Sequence, residues 1–177
     1  MNLILITTIP HIIYYYIWNN PDHYIKIINK INYLDVNNFS LYFLYYISIF
    51  IKQLQLIYII YNSYLNYTFI EYFYNDYLFL KLLIIIFGQI LNCSVYYKLG
   101  LTGVYYGNKL GYPTKWIVGF PYNFCNNPQY IGSIMSYIGL YGITDIYYIL
   151  YIILLYNFTI QVENNNISYY KLLKFIF

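Results

Sequence analysis

Long apolar stretches separated by short polar breaks run through most of the sequence. They lie at residues 39–51, 54–61, 82–97, 130–141 and 146–162. A membrane helix needs about 20 mainly apolar residues, and several of these stretches approach or, when joined, reach that length. Lys52 and Gln53 separate the first two. The pattern therefore allows either one helix with Lys52 snorkelling or a helix that ends near Lys52 and is followed by a surface segment.

The first apolar stretch has a different pattern. Pro10 and His11 interrupt it, and it ends at Trp18 before the polar residues 19–23. It is shorter than the about 20 residues of an ordinary span, so the sequence predicts a re-entrant or interfacial helix here. Together the stretches predict an all-α integral membrane protein with about four membrane segments, folded as a single domain over residues 1–177.

The composition supports membrane insertion and excludes other classes of protein. The chain is 61% hydrophobic and only 8% charged, whereas a soluble domain carries roughly 25% charged residues. A net charge of +3 on scattered lysines gives no nucleic-acid-binding surface. Cys93 and Cys125, with His11 and His23, lack the close spacing of a zinc site. We therefore expect neither a nucleic-acid partner nor a bound metal.

Four glycines stand at helical spacing in the middle of the chain. Gly100, Gly103, Gly107 and Gly111 lie 3, 4 and 4 residues apart. On one helix they form a bare ridge, which lets another helix or a ligand approach the backbone closely. The spacing alone does not decide between helix packing and ligand binding.

A helix start is predicted at residues 127–128. Asn127 suits the N-cap position and Pro128 suits the first helical position. Small residues then recur along the helix at Gly132, Ser136 and Gly139. The free N–H groups at such a helix start can bind an anion or a carboxylate. Alternatively, the Asn127 side chain caps its own helix.

These features together resemble the phosphatidylethanolamine N-methyltransferase family of small, class VI-like membrane methyltransferases. The resemblance is close over residues 88–140. It rests on Gly88-Gln89-Ile90, on the glycine-rich residues 99–111, on Gly119-Phe120-Pro121-Tyr122-Asn123, and on Asn127-Pro128-Gln129-Tyr130-Ile131-Gly132-Ser133. The last two blocks resemble the G-F-P-F-N and N-P-x-Y-x-G-S sequences of that family. Their joint occurrence at the right separation makes the resemblance specific.

The resemblance implies an enzyme of the endoplasmic-reticulum membrane. It would use S-adenosylmethionine (SAM), bound by a core at about residues 86–163, to methylate phosphatidylethanolamine stepwise toward phosphatidylcholine. The family's cofactor signatures are a G-x-G motif and a Glu-Glu pair, and each is half kept here, as Gly88 and Glu163. Asn108 stands where the family usually has Asp.

The predicted site follows from these matches. Glu163 and His11 are the candidate bases for the substrate amine, and Glu163 alternatively meets the SAM ammonium. Without a catalytic role, Glu163 would be a solvated carboxylate and His11 a histidine that only makes a hydrogen bond. The predicted cofactor-binding residues are Gly88, Gly100, Gly103, Gly107, Asn127, Pro128, Tyr130, Gly132 and Glu163.

Two other functions remain open on the sequence. An isoprenylcysteine carboxyl methyltransferase has a similar core, but it typically carries Arg-His-Pro where this chain has Asn126-Asn127-Pro128. A catalytically silent membrane protein would keep the glycines for helix association alone.

Overall fold

A computed structural model describes residues 3–32, 38–114 and 117–164. Those residues form seven helices and no strand beyond one isolated bridge. The helices are α1 (Leu3–Asn19), α2 (Pro21–Asn29), α3 (Phe39–Leu65), α4 (Thr68–Phe73), α5 (Leu78–Val104), α6 (Pro128–Gly139) and α7 (Ile146–Glu163). The predicted all-α fold is confirmed.

Helices α3, α5 and α7 are long and apolar enough to cross a membrane. Lys52 lies inside α3, which continues without a break from Phe39 to Leu65. Of the two alternatives for this region, the single helix is therefore right. The 12 residues of α6 are too few to span a bilayer. The chain is thus a multi-pass membrane protein by the length and composition of its helices.

Helix α1 lies alongside α7, and the two helices run in the same direction. The Thr7 hydroxyl is 2.7 Å from the Tyr148 hydroxyl, and further along His11 Nδ1 is 2.8 Å from Thr159 Oγ1. Pro10 is accommodated inside the helix. Because α1 lies lengthwise along a helix that can span a membrane, it is packed inside the helix bundle.

The prediction of one helical glycine ridge is wrong. The backbone leaves helical geometry at Gly100, where φ is 64°, and α5 ends at Val104. The Gly107 N–H then donates to the Thr102 carbonyl at 2.7 Å in a tight turn, and Gly111 has φ 83°. Positive φ angles are strained for residues with a Cβ. These glycines therefore reverse the chain rather than forming one face of a helix.

The second small-residue stripe packs α6 against α5. A Cβ on Gly132 would lie 2.5 Å from the Gly88 carbonyl oxygen, and one on Gly88 would lie 2.6 Å from that of Gly132. A Cβ on Gly139 would similarly lie 2.8 Å from the Lys81 carbonyl. The antiparallel backbones thus approach more closely than any side chain would allow. The predicted start of α6 at Pro128 is confirmed.

The segment between α5 and α6 returns into the helix bundle through buried tyrosines. Tyr105 and Tyr106 are 3% and 8% exposed, and they pack with Ile17 of α1 and Leu44 of α3 in one apolar cluster. This packing places the hydroxyl of Tyr106 beside the C-terminal end of α7.

Candidate functional site

Glu163 is the last residue of α7, and two tyrosines hold its carboxylate. The hydroxyl of Tyr106 donates to Glu163 Oε1 at 2.6 Å, and the hydroxyl of Tyr130 donates to the same oxygen. Burial, reinforced by Tyr130 and the Glu163 carboxylate, raises the pKa of Tyr106 well above its usual range. Tyr106 therefore remains protonated. Its hydroxyl can donate the hydrogen bond that holds the Glu163 carboxylate in place.

The carboxylate lies at the wall of a cavity of about 190 Å³, which we call the cleft. The cleft is lined by Trp18, Leu99, Gly103, Val104, Tyr106, Asn108, Tyr122, Asn126, Asn127, Pro128, Gln129, Tyr130 and Glu163. Five of the predicted cofactor-binding residues therefore come together here: Gly103, Asn127, Pro128, Tyr130 and Glu163. The cleft continues outward toward Thr114 and Ile117.

The start of α6 forms one edge of the cleft. Asn127 occupies the N-cap position, but its side chain makes no capping hydrogen bond, and Pro128 follows at the first helical position. The alternative in which Asn127 caps its own helix is therefore wrong. The helix start keeps its partial positive charge and first N–H groups at the cleft, which suits a carboxylate or another anion.

An aromatic wall faces the carboxylate. The Trp18 ring packs edge-on against the Tyr106 ring, with centroids 5.5 Å apart. The Lys109 ammonium lies 4.2 Å from the centre of the Trp18 ring. That contact demonstrates that this indole face accepts a cation, as the electron-rich face of an aromatic ring does.

His11 lies deeper in the bundle than the cleft. Its Nδ1 is 2.8 Å from Thr159 Oγ1, and that hydroxyl already donates its proton to the Leu155 carbonyl at 3.0 Å. In the tautomer that matches this arrangement Nδ1 carries the proton, which leaves Nε2 with a free lone pair. His11 and Glu163 line the same narrow void. The histidine is thus hydrogen-bonded, as expected if it has no catalytic role. It also keeps one nitrogen that can accept a proton.

Four predicted cofactor-binding glycines do not line the cleft. Gly88 and Gly132 lie at the α5–α6 contact, Gly100 is at the kink of α5, and Gly107 is in the following turn. These glycines determine how α5, α6 and the turn between them are arranged around the cleft.

Sequence analysis missed the contribution of Tyr106. It is one of 30 tyrosines, so its type carried no information. Its place immediately before Gly107, inside the glycine-rich block, is the signal that would have singled it out. Among the described residues, no three His, Cys, Asp or Glu side chains are grouped as a metal site would require.

Known proteins resemble this chain over part of its length. Over 78 residues it is 41% identical to a phosphatidyl-N-methylethanolamine N-methyltransferase of Arabidopsis thaliana, a match that covers 44% of this chain and 48% of the relative. Over 54 residues it is 46% identical to the Saccharomyces cerevisiae protein of the same name, covering 30% of this chain and 26% of the relative. Over 53 residues it is 49% identical to phosphatidylethanolamine N-methyltransferase A of Dictyostelium discoideum, covering 29% and 25%.

The chain thus matches about half the length of the Arabidopsis relative and about a quarter of the others. No solved structure matches it. The sequence model of the family described as phospholipid methyltransferase matches residues 76–167, which is more than half of the chain and includes α5, α6, α7 and most of the cleft. The chain belongs to the phospholipid methyltransferase family.

Proposed function

We propose that this protein is a SAM-dependent phospholipid N-methyltransferase. Its substrates would be phosphatidylethanolamine and its mono- and dimethyl derivatives, and its product would be phosphatidylcholine in the endoplasmic-reticulum membrane. The observation that carries the proposal is the Glu163 carboxylate, held by Tyr106 and Tyr130 at the wall of the cleft. Family membership and the names of the relatives support the same activity.

The residues of the cleft fit the chemistry of SAM. Glu163 suits the cofactor's ammonium, and the N–H groups at the start of α6 suit its carboxylate. The indole of Trp18 lines the cleft, and an aromatic ring face attracts a cation such as a sulfonium. Gly103 leaves the wall of the cleft without a side chain. When bound, SAM supplies a methyl group on a positively charged sulfur.

The chain itself has two tasks beyond binding. It must align the acceptor nitrogen with the methyl group, and such positioning supplies about 7–11 kcal/mol. It must also take a proton from the ammonium form of the substrate, since only the free amine has a lone pair. Glu163 and His11 Nε2 are the two bases near the narrow void. If Glu163 binds the cofactor ammonium, His11 takes the proton.

A direct assay tests the proposed function. Membranes containing the protein are incubated with methyl-labelled SAM and, separately, with phosphatidylethanolamine, its monomethyl derivative and its dimethyl derivative. We expect label in the methylated phospholipids, and the three acceptors reveal which steps the protein performs. Label in a prenylated peptide instead would mean an isoprenylcysteine carboxyl methyltransferase. No label and no SAM binding would mean a catalytically silent protein.

Gly103→Leu is expected to weaken SAM binding at least about tenfold, because the added side chain fills the cleft. Even a Cβ at this position would lie 2.5 Å from the Leu99 Cβ, so Gly103→Ala should have an intermediate effect. SAM affinity is measured by equilibrium binding to the detergent-solubilised protein, after its thermal stability has been checked. Ser94→Leu, on the same helix but outside the cleft lining, is the matched control. Wild-type affinity in a folded Gly103→Leu protein would remove this glycine from the site.

A further inference from the structure

Lys52 lies at the middle of the spanning helix α3, equally far from Phe39 and Leu65. At 1.5 Å per residue it is about 20 Å from either end of the helix. That distance exceeds the reach of a lysine side chain, so Lys52 cannot place its ammonium at a membrane surface by snorkelling. A charge at this depth requires a polar cavity or a partner.

A cavity of about 320 Å³ provides the polar surroundings. We call it the polar chamber, and its polar side chains include Lys52, Gln55, Gln89, Asn92, Ser133 and Ser136. It lies between α3 and α5, which scarcely touch each other. Lys52 and Gln89 on its two walls are both exposed, so the chamber is open at its surface. An opening between two membrane-crossing helices would face the acyl chains of the bilayer.

The charges in the polar chamber are unbalanced. No Asp or Glu of the described residues lines the polar chamber or the smaller cavity beside it, where Lys52 lies with Tyr96, Tyr156 and His11. The neighbouring amides and hydroxyls can donate hydrogen bonds as well as accept them, and Lys52 alone among the chamber's side chains carries a charge. An anion is the ligand that complements such a set, and the lateral opening admits one that is attached to acyl chains.

The polar chamber leads to the tyrosines that hold Glu163. Lys52, Ser133, Tyr137 and Tyr156 also line a second, smaller cavity. On its other side this cavity is bounded by His11, Tyr106 and Tyr130. The Lys52 ammonium and one candidate base, His11, thus lie on one polar passage, and Tyr106 and Tyr130 at its wall hold the other base, Glu163. A phospholipid headgroup has the matching order, with an anionic phosphodiester on the acyl side and an amine beyond it.

We propose that Lys52 binds the phosphodiester of a membrane phospholipid that enters the polar chamber sideways between α3 and α5. The ethanolamine nitrogen then points along the passage toward Tyr130 and Glu163. This inference rests on the proposed function for the identity of the headgroup. The Lys52 site itself requires only a phospholipid.

Lipid binding by the full-length protein, measured without SAM, tests the inference. The probes are a fluorescent phosphatidyl-N-methylethanolamine and a diacylglycerol with the same acyl chains, added to protein in detergent micelles. We expect the wild type to prefer the phospholipid at least about tenfold, as a charge-assisted hydrogen bond allows. Lys52→Met should lose most of this preference, while Lys52→Arg should keep it.

The controls separate the other outcomes. Lys98→Met removes a lysine near the end of α5, outside the polar chamber, and should leave the preference unchanged. If Lys52→Met does not fold, Gln55→Leu provides the second variant and should reduce the preference. Equal preference in wild type and a folded Lys52→Met overturns the inference. Because this experiment measures lipid binding and no turnover, its result does not depend on the outcome of the methylation assay.

Discussion

Glu163→Gln is expected to lower the rate of phospholipid methylation at least about 100-fold, which corresponds to ~2.7 kcal/mol of transition-state stabilisation. The amide has the shape of the carboxylate, and its oxygen can still accept the hydroxyls of Tyr106 and Tyr130. What it loses is the negative charge that suits an ammonium and the ability to take up a proton. The measurement is labelled methyl transfer to phosphatidyl-N-methylethanolamine, accompanied by SAM binding.

Glu71→Gln is the matched control, because Glu71 is exposed on α4 and outside the cleft lining. We expect its activity to equal that of the wild type. The two roles considered for Glu163 give different results in the main variant. A cofactor contact would weaken SAM binding, whereas a base would lower turnover with SAM binding intact. Wild-type values for both quantities would exclude Glu163 from the site.

Gly132→Leu is expected to disrupt the packing of α6 on α5 and to destabilise the protein. A Cβ at this position would lie 2.5 Å from the Gly88 carbonyl oxygen, which is backbone and cannot move aside alone. Overpacking a core typically costs about 1–3 kcal/mol, and contact with backbone places this variant at the upper end. The measurement is the midpoint of thermal unfolding of the detergent-solubilised protein.

Gly132→Ala should give a smaller loss of stability at the same position. Ile138→Phe is the matched control, since it adds bulk to a residue of α6 that is 40% exposed. We expect its unfolding midpoint to remain within experimental error of the wild type. Should Gly132→Leu unfold at the wild-type temperature, the close α5–α6 contact would not be needed for the fold.

The apolar pattern of the sequence was sufficient to predict the long helices α3, α5 and α7, but not the short helices α2 and α4. Hydropathy depends on composition averaged over many residues, so the tyrosine-rich background did not obscure it. Lys52 remained ambiguous because the sequence alone does not reveal whether a polar chamber receives a charge in mid-helix. The structure resolves this by placing Lys52 beside Gln55 of the same helix and beside Ser133 and other polar groups of α5, α6 and α7.

The candidate site was predicted only in part. Glu163 and the Asn127–Pro128 helix start were found because their residue types are rare or distinctive here. The glycine ridge was predicted wrongly because a spacing of 3, 4 and 4 residues suits a helix. The positive φ angles at Gly100 and Gly111, which arise from chain reversal, are not visible in that spacing. Tyr106 was missed because only tertiary packing distinguishes it from the other tyrosines.

Trp18 gives the cleft an optical probe of its own. Its indole lines the cleft, with Tyr106 on one side and the Lys109 ammonium 4.2 Å from the ring centre. The emission of an indole responds to nearby charge and to water. The sequence has only two tryptophans, so in a Trp116→Phe background the fluorescence of Trp18 alone reports the filling of the cleft. Ligand binding can then be followed in time, without labels and without turnover.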